Sequence, residues 1–66
     1  MPSPVAFHKV RKRLKQAGWT LDRIHGSHHI FIREGSPNLV VPVHRNEVRA
    51  VYVKQIEKAI EEARRQ

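Results

Sequence analysis

Five histidines in 66 residues are the side chains in this chain best suited to moving protons near neutral pH. Four of them, His25, His28, His29 and His44, fall in one central stretch. Three kinds of chemistry compete for them. A zinc-type site needs three or four convergent ligands, and imidazole suits zinc, nickel or copper. The spacing here matches no standard ligand pattern, and no Asp or Glu lies between His25 and Phe31 to orient the rings. No metal and no small-molecule cofactor is therefore expected. A structural or solvent-facing role is the better reading for His8 and His25. The third possibility is RNA cleavage. Ribose places a hydroxyl beside each phosphate; a neutral imidazole takes its proton, the oxygen attacks phosphorus, and cations hold the phosphate. His28 and His29 are adjacent, so on a strand they point to opposite faces.

Cations are abundant. Thirteen Lys and Arg against six Asp and Glu give a net charge of +7. Residues 1–33 hold seven of the basic groups against Asp22 alone. Such a one-sided field attracts polyanions, and nucleic acid is the expected partner through phosphate contacts that read no sequence. Lys9, Arg11, Lys12, Arg13 and Lys15, with Arg23, are the candidate RNA-binding residues. The competing reading is a helix with a solvated basic face. A membrane surface fits less well, because the first helix has few large apolar residues to insert.

The elements that must position these groups are readable from periodicity. Phe7, Val10, Leu14 and Ala17 make one apolar stripe, followed by Gly18 where a helix end wants a left-handed residue. Ser3-Pro4 has the character of a cap and first position, so helix 1 is expected over 4–17. Trp19–His25 reads as a strand, Gly26-Ser27 as a turn, and His28–Arg33 as a second strand. Glu34–Asn38 is a turn cluster and Leu39–Val43 a third strand, with Pro42 marking an edge or irregularity. Arg45–Arg49 reads as a polar connection. A last helix is expected over 50–63, with Val53, Ile56, Ile60 and Ala63 on its apolar side and Tyr52 and Ala59 flanking. The order α-β-β-β-α, with short turns, predicts an α+β fold: a three-stranded antiparallel sheet with both helices on one face and the other face open.

Size and composition exclude much else. A chain of this length forms a single domain over 1–66 with a small core, too short for a Rossmann or barrel enzyme. The absence of cysteine removes disulfides, thiolate metal sites and a cysteine nucleophile, and it fits a cytoplasmic setting. No apolar run approaches the ~18 residues of a membrane span.

Two blocks carry a family resemblance. Gly26-Ser27-His28-His29-Ile30-Phe31 is similar to the G-S-H-x-x-aromatic signature of HicA (YcfA-like) toxins, and Val41-Pro42-Val43-His44 resembles that family's V-P-x-H block. Gly18-Trp19 matches the Gly-aromatic pair after the family's leading helix, and the likeness extends from about Val5 to Ala63. It implies a double-stranded-RNA-binding-like fold and a metal-independent mRNA interferase of a type II toxin–antitoxin pair. It implies mRNA as substrate and a HicB-type antitoxin that covers the active site. The family's catalytic histidine falls on His28, with His29 the alternative because some members carry it one place later. Gly26 and Ser27 fall on the turn that presents it. Two segments depart from the family pattern: Val51-Tyr52-Val53 stands where many members have a Gly-Thr-Leu-like triplet, and Arg45–Arg49 lacks the usual Gly and Lys. Two other classes stay open beside the nuclease, a non-catalytic RNA-binding module using the same basic face and a protein-interaction domain.

Overall fold

The apolar stripe of the first helix forms α1 over Phe7–Gln16, in a computed structural model that describes residues 3–65. Met1, Pro2 and Gln66, included in the expected domain 1–66, lie outside the described residues. Val10 and Leu14 turn inward and are buried. The helix stops where a glycine permits it: Gly18 takes φ +89°. The Trp19 N–H donates to the Leu14 carbonyl at 2.9 Å and the Gly18 N–H to Lys15 at 3.1 Å, the two bonds of a Schellman end.

The other end of α1 departs from expectation. Ser3-Pro4 does not start the helix. Val5–Ala6 instead form a strand, β1, paired antiparallel with Glu47–Val48, which we label β5. Ala6 is the cap residue and makes no side-chain cap bond. The Phe7 N–H donates to the Asn46 carbonyl at 2.7 Å. A distant strand thus supplies the partner that a serine cap would have offered a free helical N–H.

The main sheet has the order β2-β3-β4, with β2 over Thr20–His25, β3 over His28–Ile32 and β4 over Leu39–Pro42, all antiparallel. Register shifts between Leu21 and Arg23, leaving Asp22 as an extra residue. Gly26 sits in the β2–β3 turn at φ +58°, and it alone of the two central residues has positive φ, the pattern of a type II′ hairpin. The Val43 N–H donates to the Ser27 carbonyl at 2.7 Å, which ties this turn to the end of β4.

The segment Arg45–Arg49, expected as a plain polar connection, holds a turn and a strand. Residues His44–Glu47 exchange both backbone hydrogen bonds, at 3.0 and 2.8 Å, around Arg45 (φ 52°) and Asn46 (φ 64°). Two positive φ values make this a type I′ hairpin. Helix α2 then runs Ala50–Arg64.

Both helices pack on one sheet face. Leu14 of α1, Ile56 and Ile60 of α2, Phe31 and Val41 of the sheet, and Val48 and Trp19 form the buried core. Trp19 and Phe31 are core residues, as their size and setting predict. The fold is therefore α+β, two helices over a three-stranded antiparallel sheet, with the short β1–β5 ribbon as the addition. Alternation along β3 sends His29 and Phe31 toward the helices and His28, Ile30 and Ile32 to the open face.

Candidate active site

His28 is the first residue of β3, immediately after the Gly26-Ser27 turn, and its side chain is exposed. Its cross-strand neighbours are His25 on β2 and Pro42 on β4. Opposed residues of an antiparallel pair share a face, so His25, His28 and Pro42 lie together on the open side of the sheet. Gly26 beside them has no atom within 4 Å of where a Cβ would stand, so the turn is uncrowded. Its glycine is required by φ, not by space.

His29 has a different setting. It faces the helices, with its ring 4.6 Å from the Phe7 ring at 54°. Its Nδ1 is buried without a hydrogen-bond partner. His29 as a whole is half-buried, packed on the side that carries Nδ1. His8, on α1, is exposed.

The expected cations are distributed unevenly around His28. Arg23 stands opposite Ile30 on the open face, but its guanidinium bonds the Asp22 carboxylate at 2.8 Å. On α1, Arg13 bonds both Glu57 carboxylate oxygens, at 3.2 and 3.3 Å. Lys9 and Arg13 line a groove between the helices with Val53, Ile56 and Glu57. Arg11 and Lys15 flank a cleft over Trp19, Thr20 and Leu21, at the end of the sheet away from the Gly26-Ser27 turn. Lys12 is exposed. The basic cluster of α1 thus lies on the covered side of the sheet while His28 projects from the open side. It can hold a polyanion there, away from His28.

A second basic cleft, at the β4–β5 turn, is lined by Pro4, His44, Arg45, Glu47 and Arg49, and His28 is not among its lining residues. Arg45 and Arg49 are absent from the RNA-binding set predicted by charge clustering. Their signal is faint in the sequence: Asn46 is the only residue of the segment with a taste for positive φ, and a hairpin there brings both arginines beside His44. Among the described residues, no three His, Asp or Glu side chains converge as a metal site would require. Among the described residues, no helix is long and apolar enough to cross a membrane.

Comparison with known families matches residues 7–63 to the HicA toxin of bacterial toxin–antitoxin systems. Neither the curated proteins nor the solved structures yield a match. The matched span runs from the first residue of α1 to within one residue of the end of α2, and it includes the G-S-H turn and the V-P-V-H strand end. With the match covering nearly the whole chain, this protein belongs to the HicA toxin family of bacterial toxin–antitoxin systems.

Proposed function

We propose that this toxin is an endoribonuclease, a metal-independent mRNA interferase, with His28 as its general base. The observation that carries the reading is the exposed placement of His28 on the open sheet face, just past a glycine turn. A ribose can approach there without displacing core atoms. Neutral His28 accepts the 2′-hydroxyl proton, the 2′-oxygen attacks the adjacent phosphorus, and the bond to the 5′-oxygen breaks. The fragments carry a 2′,3′-cyclic phosphate and a 5′-hydroxyl. The nucleophile is part of the substrate, so the step needs no metal-bound water. Ser27 supports the geometry through its carbonyl, anchored by the Val43 N–H, and Gly26 through its positive φ.

The substrate is mRNA, which sets the working compartment as the cytoplasm. A nuclease of this kind harms its host when free, so a HicB-type antitoxin is its natural partner, covering His28 with an acidic surface. The second reading, an RNA-binding module without catalysis, draws support from the α1 cations, which face away from His28.

Purified wild type, His28→Ala and His29→Ala, each checked for folding by circular dichroism, separate these readings on a long unstructured RNA. Loss of a general base costs about 10²–10⁴ in rate. We expect His28→Ala to lose that much, His29→Ala to keep cleavage in proportion to its folded fraction, and chelation to change nothing. Full activity in folded His28→Ala rules out this base. Binding without cleavage by wild type establishes the non-catalytic module.

A further inference from the structure

We propose that His44 is the second proton-transfer residue of this site: it protonates the leaving 5′-oxygen, while Arg45 and Arg49 hold the phosphate. The inference rests on the nuclease reading above and concerns the half of the reaction that His28 cannot perform.

The register places His44. β3 and β4 pair His28 with Pro42, His29 with Val41 and Ile30 with Val40. The Val43 N–H bond to the Ser27 carbonyl carries the ladder one residue further. Val43 is half-buried and packs against the core. Pro42 and His44, on either side of it in sequence, therefore lie on the open face with His28. His44 is exposed. It stands diagonally from His28, a relation that separates side chains by about 7–8 Å and keeps long ones within mutual reach. Beyond Val43 the chain leaves this ladder, and His44 pairs with Glu47 across the next hairpin.

That separation suits the chemistry. In phosphoryl transfer the attacking and leaving oxygens lie roughly in line on opposite sides of phosphorus. A base and an acid must therefore flank a phosphate, and cannot sit in van der Waals contact. His25 is the rival. It shares the face but pairs directly with His28, about 5 Å away across the hairpin, too close to straddle the group. Its neighbouring cation, Arg23, is engaged by Asp22. Beside His44, Arg45 and Arg49 share the cleft with one carboxylate, Glu47. The ion pairs among the described residues involve Arg13, Arg23, Arg64 and Arg65, leaving Arg45 and Arg49 to the cleft that His44 lines. Arg45 even holds φ 52°, a conformation that glycine or asparagine takes more readily. The turn would close more easily without an arginine at that place.

The step balances. His28 gains the 2′-hydroxyl proton; the 2′-oxygen–phosphorus bond forms and the phosphorus–5′-oxygen bond breaks. Imidazolium His44 gives its proton to the departing oxygen. The two histidines end with exchanged protonation states, and water restores them.

The test uses two otherwise identical RNAs, one with the natural 5′-oxygen at the scissile position and one with sulfur there. A thiolate leaves without being protonated, so the sulfur substrate needs the base but no acid. His44→Ala should slow cleavage of the natural RNA by about 10²–10⁴ and cleavage of the sulfur RNA by no more than a few-fold. His44→Gln should do the same. His28→Ala should slow both alike. Equal losses on the two substrates in the His44 variants, or no loss on either, overturn the proton-donor role. So does sulfur rescue seen in His25→Ala and absent from the His44 variants. Each of these results leaves the nuclease reading standing if His28→Ala is impaired on both substrates. Wild type that cleaves neither RNA sinks that reading and this inference together.

Discussion

His28 and His29 differ by one place in the chain and by a full change of environment. The first is exposed at a turn; the second packs on Phe7 with Nδ1 buried and unpartnered. A buried polar atom without a partner costs about 1–3 kcal/mol, and an apolar group of similar shape relieves that cost. His29→Leu should therefore leave stability unchanged or raise it by about 1 kcal/mol, offset in part by the lost ring contact with Phe7. Urea unfolding measures the shift, and cleavage should persist. A folded, stable His29→Leu protein without nuclease activity would move the general base to this residue. Adjacency and strand alternation were enough to say that the two histidines face opposite ways. Which of them faces the helices depends on where β3 sits against Phe7, and the linear pattern does not contain that.

At the scale of elements, α1 is an amphipathic helix whose basic side faces solvent, and its cations are not equivalent. Arg13 already shares its guanidinium with Glu57 of α2, whereas Lys12 is exposed. The Arg13–Glu57 pair is roughly half exposed on both sides and contributes at most about 1 kcal/mol to stability. For a single strand, each phosphate contact contributes about 0.7 to the slope of log affinity against log salt. Lys12→Gln should flatten the slope by about that amount on unrelated RNAs alike. Arg13→Gln should change it less, because Glu57 competes with phosphate for the same group. Filter binding across a salt series, with His28→Ala protein, checks both. Unchanged slopes in both variants mean that α1 carries a solvated face only. The end of this helix was legible, because Gly18 after the last apolar residue has a local reason to stop it. Its start was not. Ser3-Pro4 offered a plausible local cap, and a strand pairing with Glu47–Val48, more than forty residues away in sequence, prevailed.

The whole molecule presents two basic regions, the outer side of α1 and the cleft lined by His44, Arg45 and Arg49. The hairpin that carries Arg45 is tied to the first residue of α1, whose Phe7 N–H donates to the Asn46 carbonyl at 2.7 Å. The net charge of +7 steers an acidic partner toward the chain, and such steering weakens as salt rises. Association with the antitoxin should therefore slow markedly between low and physiological salt, with dissociation changing little. Stopped-flow mixing measures both rates. A complex that cleaves RNA as fast as the free toxin shows that the antitoxin does not cover His28.

Local patterns determined much of this protein. Apolar periodicity set the two helices and three main strands, the Gly26-Ser27 pair set the hairpin that presents His28, and the G-S-H and V-P-V-H blocks pointed to the family. These features share a physical basis: each is decided by residues within one turn or one hairpin of each other. Tertiary structure decided the rest. It placed β1 on β5 and set the α1 cations on the covered side of the sheet, away from His28. It also brought Arg45 and Arg49 into one cleft with His44. Those outcomes depend on backbone hydrogen bonds and side-chain packing between segments far apart in the chain, and no local propensity encodes which distant strand a residue will meet.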